Sequence, residues 1–156
     1  MSSALAPTDM GVIMRVSNLL TTKGHDVATI SQERNVTDAL AMLKERGVGA
    51  LVVTGPVAPL VGILSERDVV RALATQGVDA LDAKVADLMT REVRVCNEDT
   101  SMADLMGLMT EHHIRHVPVV HDVMLVGLVS IGDVVKARLD ELEADKKELL
   151  DYVSAR

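Results

Sequence analysis

Two short segments of this chain place a serine and an aspartate three residues apart: Ser65-Glu-Arg-Asp68 and Ser130-Ile-Gly-Asp133. Each follows an apolar run of strand type and opens a pattern of helical spacing. Ser-x-x-Asp at a helix start resembles a capping box, in which the serine side chain and the acid satisfy each other's backbone amides. The same position also suits a ligand. A helix N-terminus presents free N–H groups and a partial positive charge. A carboxylate held there stays ionised and can accept two hydrogen bonds from a vicinal diol such as a ribose. Residue types and spacing fit both chemistries.

The two segments belong to a longer internal repeat. Leu60-Val-Gly-Ile-Leu-Ser-Glu-Arg-Asp-Val-Val70 returns as Leu125-Val-Gly-Leu-Val-Ser-Ile-Gly-Asp-Val-Val135, identical at seven of eleven positions. Upstream, Val36-Thr-Asp-Ala-Leu-Ala-Met-Leu43 matches Met102-Ala-Asp-Leu-Met-Gly-Leu-Met109, and Val16-Ser-Asn-Leu-Leu20 is echoed by Val85-Ala-Asp-Leu-Met89. A duplicated half-domain implies a pseudo-twofold pair with a cleft between the copies.

Each copy reads as strand, helix, strand, strand, helix. In the first, Val27–Ile30 is a short strand and Asn35 a candidate N-cap. Val36, Ala39, Leu40 and Leu43 form an apolar stripe ending at Gly47. Ala50–Val53 and Leu60–Leu64 make a hairpin, and a helix from Ser65 stops at Gly77. In the second, Val93–Val95 is the expected strand and Ser101 to about His112 the helix. Val117–Val120 and Met124–Val129 are the hairpin, with Pro118 marking a strand start or edge. The last helix runs from about Ile131 to near Val153, with Leu139, Leu142, Leu149 and Val153 along it. The expected organisation is a flexible tail over 1–13, a first repeat over 14–77 and a linker over 78–84. A second repeat over 85–138 and a C-terminal helix extension over 139–156 complete it.

Of 156 residues, 48% are apolar, enough for a folded core, yet Tyr152 is the only aromatic. A ring-shaped ligand must therefore lie between aliphatic side chains. The formal net charge of −7, with basic residues scattered, argues against nucleic acid as a partner. No run suggests a membrane span or signal peptide. Cys96 is the lone cysteine, which fits a reducing, cytoplasmic setting. It aligns with Ile30 and reads as a small buried hydrophobe. The cluster His112-His-Ile-Arg-His116 reads as helix C-terminal charge complementation in preference to a metal site. No nucleophile–base pair, Walker lysine or dinucleotide glycine loop is present, so the chain does not read as an enzyme and needs no catalytic cofactor.

The pattern Gly-h-h-Ser-x-x-Asp after a strand, with an upstream h-x-x-h-Pro-Val segment, resembles the CBS (cystathionine β-synthase) domain. The resemblance extends from about Val16 to Leu139 as a tandem pair, often called a Bateman module, of the stand-alone bacterial kind. It implies an α+β fold: two βαββα repeats packed with pseudo-twofold symmetry, plus the extended C-terminal helix. It also implies adenosine-type ligands in two clefts: AMP, with ADP, ATP or NAD(H) as alternatives, and S-adenosylmethionine in the same class. Carried over by position, Asp68 and Asp133 hold ribose hydroxyls, and Ser65 and Ser130 line the same sites. Main-chain groups of Val27, Ala28 and Thr29, and of Val93, Arg94 and Val95, read the adenine edge. Ile63, Leu128 and Pro118 enclose the ring.

The copies differ on the phosphate side. Ile114-Arg-His-Val-Pro118 aligns with Val48-Gly-Ala-Leu-Val52, so Arg115 and His116 face only Gly49 and Ala50 as counterparts, and Arg67 faces Gly132. The resemblance implies that these positions reach across the interface towards the neighbouring site's phosphates; Arg115 and His116 are expected to serve the Asp68 ligand and Arg67 the Asp133 ligand, with Ile114 among the ligand-binding residues. The expected function is a nucleotide sensor of energy or redox state. It would form a homodimer and signal to an unidentified protein target. A dimerisation adaptor with vestigial clefts and a slow nucleotide-processing enzyme are the alternatives.

Overall fold

In the computed structural model, which describes residues 13–155, the first copy runs α1 (Val16–Lys23), β1 (Thr29–Ser31), α2 (Val36–Arg46), β2 (Ala50–Thr54), β3 (Gly62–Ser65) and α3 (Glu66–Gln76). The second runs α4 (Val85–Leu88), α5 (Met102–His112), β4 (His116–His121), β5 (Met124–Ser130) and α6 (Ile131–Ser154). Apart from Ile13, the tail expected over 1–13 lies outside the described residues. Residues 78–84, expected as a linker, are largely the 3-10 turn Gly77–Asp82, pinned by the fully buried Ala80. Among the described residues, no helix is long and apolar enough to cross a membrane.

Local chemistry sets the element ends. Asn35 caps α2 by accepting from the Asp38 N–H at 2.9 Å, and Gly47 ends it in the left-handed region at φ 63°. Ser101 caps α5 in the same way. The first sheet has order β1-β2-β3, with β1 parallel and β3 antiparallel to β2; in the second, β4 and β5 are antiparallel.

The strand expected at Val93–Val95 does not form; the second copy keeps a single parallel bridge, Cys96 with Val119. The alignment gives a physical reason. In the first copy the Val52 N–H donates to the Ala28 carbonyl at 3.0 Å. Pro118 stands at the position of Val52 and has no N–H to offer Arg94, the counterpart of Ala28. Only the neighbouring bonds survive: Cys96 N–H to Pro118 O at 3.0 Å and Val120 N–H to Cys96 O at 2.9 Å.

The core is apolar throughout, with no buried polar or charged residue among the described ones, and it falls into two clusters. These clusters are not the sequence repeats. Val16, Leu19 and Leu20 of α1 pack in the second copy's core with Leu105, Val117, Val129 and Val134. Val85 and Met89, from the start of the second copy, pack in the first with Val36, Leu51, Leu64 and Val69. Each copy lends its leading segment to the other.

This exchange explains the glycine of the repeated motif. A Cβ on Gly127 would lie 2.6 Å from Leu20 Cδ2. On Gly62 it would lie 2.5 Å from Met89 Sδ and 2.9 Å from the Thr90 carbonyl oxygen. The lent side chains rest directly on the glycine backbone. Gly127→Ala and Gly62→Ala should each destabilise by about 1–3 kcal/mol through overpacking, measured by urea unfolding. Gly62→Ala should be the worse, because a backbone oxygen cannot rotate away. Leu20→Ala should relieve much of the Gly127→Ala defect in a double-mutant cycle; strict additivity would refute the contact.

Candidate functional site

At the β3–α3 junction the capping box is formed in full. The Ser65 Oγ accepts from the Asp68 N–H at 3.2 Å, and Asp68 Oδ2 accepts from the Ser65 N–H at 2.9 Å and its hydroxyl at 3.1 Å. The other carboxylate oxygen, Oδ1, receives a 3.3 Å bond from the Thr90 hydroxyl. Oδ2 of Asp68 thus orders the helix start, Oδ1 takes the Thr90 hydroxyl, and the residue lines a cavity. The cavity has a volume of about 400 Å³, within the range of small-molecule sites.

Nine of the expected residues line this cavity: Ile63, Ser65, Arg67 and Asp68 from the first copy, and Val93, Arg94, Ile114, Arg115 and His116 from the second. Arg115 and His116 lie at the side of Asp68, the placement expected for them. Arg67 differs. It was assigned by alignment to the Asp133 ligand, yet it lines the Asp68 cavity, its guanidinium 3.5 Å from the His113 carbonyl. Its position in the first turn of α3, beside Asp68, holds it there.

The second copy builds the same capping box and a different neighbourhood. Ser130 Oγ accepts from the Asp133 N–H at 3.1 Å, and Asp133 Oδ2 accepts from the Ser130 N–H at 2.8 Å. The same Oδ2 is ion-paired with the Lys23 ammonium, which also donates to the Leu128 carbonyl. Asp133 lines a groove between α1 and α6, with Lys23, Lys136 and Asp140. The remaining expected residues line neither cavity, although the Leu128 carbonyl shares the Lys23 ammonium with Asp133. Ala28, Pro118 and Leu128 are buried, Val27 is half-buried, and Thr29 and Val95 are exposed. None of these six, nor Ser130, lines either cavity.

Sequence reasoning missed several cavity residues. Arg71 lines it one helical turn beyond Arg67, a spacing that places both on one face. Thr90 and Glu92 follow the lent segment Val85–Met89, and Glu66 stands beside Asp68 in the first turn of α3. His112 and His113 line the cavity where α5 ends, with His113 in the left-handed region at φ 54°. Four arginines (67, 71, 94 and 115) against three acids (Glu66, Asp68 and Glu92) make this region cationic, in a chain of net charge −7.

Burial holds the His116 imidazole below its ordinary pKa, aided by the Lys23 and Arg115 charges; Asp133 and Glu66 act in the opposite sense. Burial alone would raise the Asp133 carboxyl, but the bonds from Lys23 and Ser130 prevail and hold it below the usual range. The Cys96 thiol is pushed up to about 11 by burial, which leaves it protonated and inert. Among the described residues, no group of three His, Cys, Asp or Glu side chains is placed to hold a metal ion.

Because His116 titrates lower in the folded than in the unfolded chain, it contributes nothing to stability while both forms are neutral. Its contribution turns unfavourable as pH falls below about 6.5 and the unfolded chain takes the proton first. The His116 ring signal in a proton NMR titration should therefore show a midpoint below that of a free histidine. A midpoint at or above the free value would contradict the burial described.

Both halves of the chain match the CBS domain, over residues 16–75 and 85–140. The sequence is 39% identical over 122 residues to the mitochondrial CBS domain-containing protein CBSX3 of Arabidopsis thaliana, covering 76% of this chain but only 59% of that protein. Among solved structures, a CBS-domain-containing protein of Agrobacterium tumefaciens superposes with TM-score 0.80 at 39% identity, over 85% of this chain and 99% of the other. The CBS domain pair of protein MJ0100, solved with 5-methylthioadenosine and S-adenosyl-L-methionine, shares the fold with TM-score 0.74 at 24% identity, over 83% of this chain and 99% of that one. With two repeats that exchange their leading segments, each carrying a strand–helix junction of the Gly-h-h-Ser-x-x-Asp kind, the chain belongs to the CBS domain family.

Proposed function

We propose that this chain is a regulatory module that takes an adenine nucleotide into the Asp68 cavity and signals its occupancy to a partner protein. CBS pairs are commonly regulatory ligand-binding modules for adenosine-containing compounds. The observation that carries the reading here is the pairing of a helix-entrance carboxylate with four arginines around one cavity of about 400 Å³. Asp68 Oδ1 accepts the ribose hydroxyls, beside Ser65. Ile63, Val93 and Ile114 supply aliphatic walls for the ring, and the main chain of Val93 and Arg94 reads its edge. Arg67, Arg71, Arg115 and His116 meet the phosphates. AMP is the simplest ligand, and ADP, ATP and NAD(H) share the same groups. Phosphate binding would neutralise a cluster of cations contributed by both copies and so favour one arrangement of them.

Two observations favour neighbouring readings. Glu66 and Glu92 add acidic groups to the cavity, which suits the cationic tail of S-adenosylmethionine. On α6, Leu139, Leu142, Leu149 and Val153 are each more than half exposed. Those positions support self-association as a homodimer, whether the chain acts as a sensor or solely as a dimerisation adaptor.

Calorimetric titration with AMP, ATP, NAD(H) and S-adenosylmethionine tests the reading. Asp68→Asn should weaken a nucleotide at least tenfold, about the effect of one hydrogen bond to a charged group. Arg115→Ala should weaken ATP more than adenosine. Equal affinity of Asp68→Asn and the parent protein for every nucleotide would sink the proposal.

A further inference from the structure

The two Ser-x-x-Asp junctions meet different groups from the segment lent to each. In the first copy, α4 ends after four residues and the chain becomes extended at Met89. Thr90 then pairs with Ile63 through both backbone bonds, at 3.0 and 2.8 Å, and its hydroxyl reaches Asp68. In the second copy the equivalent helix, α1, continues for eight residues. Thr21, the counterpart of Thr90, stays inside it with its hydroxyl on the Ser17 carbonyl at 2.9 Å. Leu128, the counterpart of Ile63, therefore has no backbone partner from that segment. Two residues later, Lys23 extends its ammonium to the Leu128 carbonyl and the Asp133 carboxylate, both at 2.5 Å.

We propose that Lys23 is a built-in occupant of the second junction, neutralising the Asp133 carboxylate through its capping oxygen Oδ2 and crowding the approach of a ligand's hydroxyls to it, so that the chain carries one ligand, at Asp68. This rests on the reading of Asp68 as a diol acceptor. Lys23 contacts the same two kinds of group that Thr90 contacts in the first copy, a strand carbonyl and the motif carboxylate, but with a full positive charge. Its alignment counterpart is Glu92, of opposite sign, which lines the open cavity. The Lys23 and Asp133 side chains are 32% and 25% exposed, so the pair is shielded well enough to persist, and exposed enough to be displaced when the charge is removed. Lys23 is thus a determinant of how many ligands this duplicated fold accepts.

The test is calorimetric titration of AMP and ATP into the full chain and its Lys23→Met and Lys23→Gln variants, alone and with Asp68→Asn or Asp133→Asn. Glutamine retains a donor for the Leu128 carbonyl should methionine compromise folding, which thermal unfolding would register. The parent protein should bind one nucleotide per chain, insensitive to Asp133→Asn. Either Lys23 variant should gain a second binding event, which Asp133→Asn removes and Asp68→Asn leaves intact. Two equivalent sites in the parent protein, or no second event in either Lys23 variant, would overturn the inference. If the parent protein took no nucleotide, the sensor reading would fail on its own; a site gained in the Lys23 variants and lost with Asp133→Asn would still establish Lys23 as the occupant.

Discussion

Leu20 lies against the bare Cα of Gly127, and Met89 against that of Gly62. These two contacts join residues far apart in sequence and bury both side chains almost completely, to 1% and 7% exposure. Burial of a leucine or methionine contributes about 1.5–3 kcal/mol, and each of these is placed in the other copy's core. Neither copy is then a self-sufficient unit. The cleft that holds Asp68 has walls from both copies because the segment following Met89 must cross from one core to the other. Val93, Arg94 and Glu92 reach the Asp68 cavity along that crossing. The site is a by-product of how the two cores are completed.

From a shared plan, two small differences make the copies unequal. Proline at 118 removes one amide and with it a strand at Val93–Val95, which leaves Val93 and Arg94 to line a cavity instead of a sheet. A leading helix longer by one turn carries the Lys23 ammonium to Asp133, where the shorter α4 brings only the Thr90 hydroxyl to Asp68. Charge follows the same division: arginines and histidines collect around Asp68, while Asp133 is neutralised by a tethered cation.

Much of this was legible in the sequence where the interactions are local. The caps at Asn35, Ser65, Ser101 and Ser130, the left-handed end at Gly47 and the hairpin strands depend on residues a few positions apart. The burial of Cys96 follows from its alignment with Ile30. Arg71 was readable too, one turn from Arg67. The exchange of leading segments was not, because an apolar stripe states that a helix is buried without stating where. Lys23 was equally hidden: its contact with Asp133 spans 110 residues and depends on α1 running past Leu20. Arg67 was expected at the other ligand because alignment compares positions in the repeat, whereas the first turn of α3 places it on the Asp68 cavity. The failed strand carried its warning in Pro118, whose missing N–H is felt on the neighbouring segment and not in β4 itself.

The exchange also orders events during synthesis. Val16, Leu19 and Leu20 leave the ribosome before the surface they cover, from Leu105 to Val134, has been made. Until that surface is made α1 lacks its partner, while the first copy can close as soon as Val85 and Met89 arrive. A nascent chain of this architecture depends on holding its first helix in reserve. Folding chaperones, or a stall in elongation before Val117, would act on that waiting helix before any other part of the molecule.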